Sequence, residues 1–175
     1  MPDITVALRR RADLAPVEQA EVDALYAVLF GEDDEGLAWA RGEWYVLVRT
    51  AGGALSSMVE ILERTVTVDG QPVRVGGIGG VGTYPEYRLR GHSTAALRVG
   101  ADFMRDTLRV PFGLLMTGEE EIPFYGRLGW QPIANPVTLD QPGGRIVVSD
   151  AVHMDLPLGS DPWPSGPVHL CGLPW

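Results

Sequence analysis

The chain has 175 residues, 45% of them apolar, and a formal net charge of −9. Its 14 basic residues are all arginine, so a P-loop nucleotide site and Schiff-base or pyridoxal chemistry, which need a lysine amine, are excluded. The acidic balance argues against nucleic acid as a partner, because phosphate backbones call for a basic footprint, and leans toward a cationic small molecule. The length suits one domain spanning 1–175. A single cysteine, Cys171, rules out a disulfide framework within the chain and makes the cytoplasm the expected compartment. The start, Met1-Pro2-Asp3-Ile4, has no signal-peptide pattern. No apolar run approaches the ~20 residues that cross a bilayer.

In chain order, Ile4 to Leu8 reads as an edge strand. Pro16 to Phe30 reads as a helix, with an apolar stripe of Val17, Ala20, Ala24, Leu25, Val28 and Leu29 and proline at its start. An acidic turn follows at Glu32-Asp33-Asp34-Glu35, and Leu37 to Arg41 reads as a short helix. Tyr45 to Arg49 and Leu55 to Val68 read as strands, and Asp69-Gly70 is a hairpin signal. Arg74 to Thr83 is a strand loaded with glycine. His92 to Leu108 is the clearest helix, with a stripe of Ala96, Val99, Gly100, Phe103, Met104 and Leu108. Phe112 to Met116 is a short strand, and Glu119 to Leu128 a helix closed by Gly129. Trp130 to Leu139 and Arg145 to Leu156 are the last main strands before a Pro/Gly-rich tail, 159–175. The expected fold class is a mixed α/β or α+β layer arrangement.

Gly77, Gly79 and Gly82 satisfy G-x-G-x-x-G, with Asp102 twenty residues beyond. A dinucleotide fingerprint must open a helix directly after its strand. Here Thr83-Tyr84-Pro85 follows, and Asp102 falls inside the clearest helix. These glycines read instead as a strand that a ligand or another backbone approaches closely. The stretch Pro85 to Leu97 carries more chemistry. A loop with Arg88, Arg90 and Gly91 runs into a helix, whose first N–H groups lack intrahelical acceptors and carry partial positive charge. The two arginines can grip a pyrophosphate bidentately. The residues alone leave open a plain surface loop with two solvated arginines and a Ser or Thr cap.

Arg88-Leu89-Arg90-Gly91-His92-Ser93 resembles the R/Q-x-x-G-x-G/A loop of the GNAT superfamily of acyl-CoA-dependent N-acyltransferases. Gly80-Val81-Gly82-Thr83 with Pro85 resembles the strand before that loop, and Tyr125 to Trp130 resembles the family's Tyr-x-x-x-Gly-Phe/Trp segment. Ser93 departs from the pattern, but is small and has a hydroxyl that could donate to a phosphate. The resemblance implies a GNAT fold, with a mixed, mostly antiparallel sheet flanked by helices and splayed central strands. It implies acetyl-CoA as co-substrate, held by Val81, Gly82, Thr83, Arg88, Leu89, Arg90, Gly91, His92, Ser93 and Thr94. Tyr125 takes the family's general-acid position, protonating the leaving thiolate. The family's habit of dimerisation is what it adds about assembly.

The base is open. No carboxylate stands in Gly76 to Gly80, where related enzymes often carry one. The candidates are the 32–35 turn, Glu119 to Glu121 and the carboxylate at the end of the chain. The tail, with Cys171 before Trp175, is similar to that of aminoglycoside 2′-N-acetyltransferases. This implies a cationic acceptor held by Glu32, Asp33, Asp34 and Trp175. Another small amine, a protein N-terminus or a lysine remain as acceptors, and a non-catalytic CoA-binding sensor remains as another class. His92, His153 and His169 lack zinc-site spacing, so no metal is expected.

Overall fold

The computed structural model describes residues 3–31 and 36–175. In chain order the elements are β1 (Ile4–Arg10), α1 (Pro16–Phe30), β2 (Trp44–Thr50), β3 (Leu55–Val68), β4 (Gln71–Thr83) and α2 (His92–Phe103). Then come β5 (Phe112–Thr117), α3 (Ile122–Gly126), β6 (Gln131–Pro132), β7 (Val137–Gln141), β8 (Gly144–Ile146), β9 (Val152–Pro157) and β10 (Val168–His169). Among the described residues no helix is long and apolar enough to cross a membrane.

β3 and β4 form the spine. Asp69 and Gly70 turn between them with φ of 48° and 74°, the doubly left-handed turn whose twist suits a two-residue hairpin. The sheet runs β6-β9-β5-β4-β3, and β3 is long enough to carry both β2 along its first half and β10 at its end. All pairs are antiparallel except β4 with β5 and β10 with β7. The sheet is a curled, mixed half-barrel with helices on both faces. On one face α2 lays Ala96 and Leu97 on Val46, Val59, Ile61 and Ile78. The other face is shared. Val22 and Leu25 of α1 cover Tyr45, Leu47 and Met58, while Leu170 and Trp175 of the tail cover Leu62, Val75 and Leu114. Each fully buried aliphatic side chain contributes about 1.5–3 kcal/mol.

Several expectations change. α1 has the expected bounds, but Val17 and Val28 are exposed and the buried residues are Val22 and Leu25. Alanines around the helix blur its apolar phase, and the neighbouring sheet decides its rotation. Residues 37–41 are not helical. The Ala38 N–H donates to Gln141 Oε1 at 2.7 Å and the Ala40 N–H to the Pro174 carbonyl at 2.7 Å, so their backbone hydrogen bonds go to β7 and the tail. The long helix ends as α-helix at Phe103 and widens into a π-type turn over Met104–Leu108. The expected helix from 119 to 128 is a 3-10 turn at Glu119–Glu121 followed by the short α3. The region after Trp130 breaks into short strands, where Pro132, Pro136, Pro142 and Pro157 remove ladder donors.

Candidate active site

β4 and β5 run paired from Val75 and Phe112 to Ile78 and Leu115. Beyond that point β4 continues to Thr83 with no β5 residue opposite it. The cause is a bulge. Glu60 pairs with Gly79 and Met58 with Gly82, so Gly80 and Val81 together face Val59, and Gly80 adopts φ 53°. The backbone of residues 79–83 therefore lines a cleft of about 1080 Å³ between the strands. Unpaired backbone groups are costly unless water or a ligand satisfies them.

The glycines of β4 follow from what leans on them. A Cβ at Gly77 would sit 2.5 Å from the Trp175 indole, and one at Gly79 2.8 Å from the Trp175 main-chain carboxyl carbon. A Cβ at Gly80 would meet Glu60 Cγ at 2.9 Å, while Gly76 yields to Met104 and Gly82 to Leu29. The run is the close-approach strand expected from sequence, with side chains from both faces as the neighbours.

At the next turn Gly91 takes φ 82° and caps α2. The first helical N–H to reach an acceptor in the loop-to-helix turn is that of Ala95, bonded to the Gly91 carbonyl at 2.9 Å. Val81, Gly82, Thr83, Arg88, Leu89, Gly91, His92, Ser93 and Thr94 all line the cleft. Arg88 Nε donates to the Thr83 carbonyl at 3.3 Å. Arg90 does not line it. Its guanidinium lies 5.9 Å from the Tyr87 ring centre and borders a second hollow with Asp3, Thr50 and His92.

Two hydroxyl chains fix this helix end. Ser57 donates to the Gly82 carbonyl at 2.7 Å, and Thr83 donates to Ser57 at 2.9 Å. Thr83 has one proton, already used, so the 2.6 Å contact with Ser93 must be donated by Ser93. The Ser93 hydroxyl is therefore committed to Thr83 rather than free to donate to a phosphate. In the second chain Ser56 donates to the Val48 carbonyl at 3.0 Å, so His92 Nδ1 is the donor of its 2.7 Å bond to Ser56. Burial first, then Arg90, lowers the His92 pKa. His92 is a neutral latch holding α2 to β3.

Tyr125, at 7% exposure, lines the cleft from α3 and is packed edge-on by Phe124 and Trp130. Burial, with Glu121 second, pushes its pKa well above the ordinary tyrosine value. It is a phenol that stays protonated at neutral pH, as a proton donor must. Of the acidic run, Glu120 and Glu121 line the cleft beside it, joined by Asp150 from before β9.

The far end of the cleft is aromatic, with Tyr26, Phe30, Trp39 and Trp175. Trp175 donates its indole N–H to the Leu114 carbonyl at 3.1 Å, beside the point where β4 and β5 part. Arg64 holds the tail there, donating to the Leu173 carbonyl at 2.6 Å and lying 4.8 Å over the Trp175 ring. Glu32, Asp33 and Asp34 lie outside the described residues. One residue escaped the sequence reading. Glu60 of β3 is 3% exposed beneath the β4 bulge. A glutamate set between Val59 and Ile61 in a strand was the available signal.

Residues 24–133 match the family described as Acetyltransferase (GNAT) domain. No curated protein matches the chain. Among solved structures, it is similar to YhbS, a GNAT family N-acetyltransferase of Escherichia coli in complex with CoA (TM-score 0.66, 15% identity, 98% of this chain and 91% of that one). A putative N-acetyltransferase from Lactobacillus plantarum gives a TM-score of 0.61 at 18% identity over 89% of this chain and 99% of that one. FeeM, an N-acyl amino acid synthase from uncultured soil microbes, gives 0.62 at 11% over 90% and 92%. At such identities these structures speak for the fold alone. The family match covers more than half of the chain, and the protein belongs to the GNAT acetyltransferases.

Proposed function

We propose that the protein transfers an acetyl group from acetyl-CoA to a primary amine of a small cationic acceptor, by direct attack with both substrates bound. One observation carries this reading: the parted β4 edge, the α2 N-terminus and the Tyr125 side chain all face one cleft. Three local features fit CoA. The unpaired edge at 79–83 can pair with a strand-like pantetheine arm. The α2 N-terminus with Arg88 offers N–H groups and positive charge to a pyrophosphate. The cleft has room for a long, bent ligand.

In this reading the Val81 main chain polarises the thioester carbonyl, as an oxyanion site does. The amine nitrogen attacks that carbon, the carbon–sulfur bond breaks, and the Tyr125 hydroxyl gives its proton to the sulfur. Glu120, Glu121 and Asp150 give the cleft a negative wall, and Trp39, Tyr26 and Trp175 give it aromatic faces, a combination that favours a cation with an apolar body. Aminosugars belong in the acceptor panel on the strength of the tail's similarity.

The test is thiol release from acetyl-CoA across a panel of amines, with Tyr125→Phe as control. Turnover on at least one amine, lowered about 10²-fold or more by the substitution with CoA affinity unchanged, is expected. CoA binding with no turnover on any amine would replace the enzyme reading with that of a ligand sensor.

A further inference from the structure

Glu60 is the one buried carboxylate of the β3–β4 hairpin. Glu60 Oε2 accepts the Gly42 N–H at 3.1 Å, while Oε1 is buried without a geometric hydrogen bond and faces the equally unpartnered Tyr45 hydroxyl. An unmatched carboxylate oxygen in the interior is costly unless a bound group supplies a donor. No cation forms a salt bridge with it among the described residues.

Its place is informative. Glu60 is the register partner of Gly79, next to the bulge that opens the cleft. Gly80 and Tyr26 both line the cleft and both touch the space occupied by Glu60. A Cβ at Gly80 would lie 3.2 Å from Glu60 Cδ and 3.4 Å from Tyr26 Cε2. Glycine at 80 thus leaves a thin wall where any larger residue would press on the carboxylate. The groups facing Glu60 come from every neighbouring element. They are Tyr45 of β2, whose pKa is pushed up to about 12 by burial, then by the Glu60 charge and by hydrogen bonding to Glu60, Tyr26 of α1, raised by burial and then Glu60, and Arg41 from the segment after α1. Arg41 stacks 4.7 Å over Tyr26, and Arg11 reaches Tyr45 only as a weaker charge.

We propose that Glu60 is the proton acceptor for the acceptor amine, reached through water past Gly80 and Tyr26. This rests on the acyl-transfer reading above. The ammonium gives one proton through that water to Oε1, and the freed lone pair attacks the thioester carbon. As the carbon–sulfur bond breaks, Tyr125 protonates the sulfur. The nitrogen's second proton, lost as the amide forms, restores Tyr125, and Glu60 returns its own to solvent.

The experiment compares Glu60→Gln with wild type on the best amine of the panel, from pH 6.5 to 9.5, at saturating acetyl-CoA. The expected loss in kcat/KM for the amine is about 10²-fold at pH 7. It should shrink at least tenfold by pH 9.5, where more of the amine is already neutral. The pH dependence of this ratio does not depend on the fraction of protein folded. If the glutamine variant yields no folded protein, Glu60→Asp takes its place and should keep the pH profile with activity lowered about tenfold. A ratio flat across pH, or full activity of Glu60→Gln, overturns the Glu60 assignment and leaves acyl transfer standing. A wild type inert on every amine overturns both.

Discussion

The two ends of the cleft are built in opposite ways. The end assigned to the acyl donor in the proposed reading comes from one continuous stretch, residues 81–94, in which a strand, a glycine turn and a helix start follow each other, and the opposite end is the proposed acceptor end. The acceptor end is assembled from α1, residues 37–39, β5 and the tail, with Glu60 of β3 behind it. The donor end is held by bonds within one hairpin and the helix that follows it. The chain from Ser93 through Thr83 and Ser57 to the Gly82 carbonyl spans only β3, β4 and the first turn of α2. The acceptor end depends on long-range clamps, such as Arg64 on the Leu173 carbonyl and Gln141 on Ala38. A site held within one hairpin and its following helix tolerates change elsewhere, whereas one assembled from distant segments is as precise as its weakest clamp.

Perturbations can break that contrast or sharpen it. The largest effect belongs to Tyr125, where the two ends meet. Tyr125→Phe should lower kcat about 10²-fold with both KM values nearly unchanged, as steady-state kinetics will show. A selective rise in one KM would move Tyr125 into that end alone.

Next comes β9, paired to β5, where Asp155 is buried with Oδ2 unpartnered. Burial raises its pKa to about 6. Below pH 3.8 the carboxyl is mostly protonated whether the chain is folded or unfolded, and it costs little. As pH rises to 6 the unfolded chain loses this proton first, so stability falls, and above 6 the penalty is complete. Asp155→Asn should therefore raise stability at pH 7.5 by up to about 3 kcal/mol and leave it unchanged at pH 3.5. His153, two residues away, is pushed down to about 4 by burial. It works in the other direction, costing stability as pH falls from its ordinary value toward 4. Thermal melts of both Asp155→Asn and His153→Gln across pH would separate the two slopes. Equal shifts for Asp155→Asn at both pH values would remove the buried charge from the account.

Arg64→Ala tests the clamp. Losing the charged hydrogen bond to Leu173 should raise KM for the amine about tenfold and spare KM for acetyl-CoA. A larger change for acetyl-CoA would show that the ends are not separable.

Ser93→Ala should do least. The hydroxyl proton is spent on Thr83, so the expected cost is about 1 kcal/mol of stability, with CoA affinity within about threefold of wild type. A tenfold loss of CoA affinity would return Ser93 to the phosphate-binding role its sequence position suggested.

The donor end was readable because its signals are local. Gly91 needs a left-handed conformation, the helix start needs free N–H groups, and the arginines stand within three residues of Gly91. Even there Arg90 went to Tyr87, since a flexible side chain chooses its partner only after folding. The glycine strand was read as a place of close approach, but nothing nearby in sequence named Trp175, Met104 or Leu29 as the neighbours. The α1 stripe was misphased because alanine is compatible with either face of a helix, and residues 37–41 paired with β7 and the tail instead of with themselves.

By itself the sequence determined the central hairpin through Asp69-Gly70, the bounds of α1, the run from strand to anion-binding turn to helix, and the family. Each of these depends on backbone preferences acting within a few residues. Trp175 was named in advance by the tail's resemblance, but only the tertiary structure decided what packs around it at the far end of the cleft. Trp175 reaches the cleft on the returning tail, Arg64 holds that tail in place, and the β4 bulge sets Glu60 behind the cleft wall, all far from the motif in sequence. Burial of a charge and the approach of a distant side chain are properties of the packed whole, so no local pattern carries them.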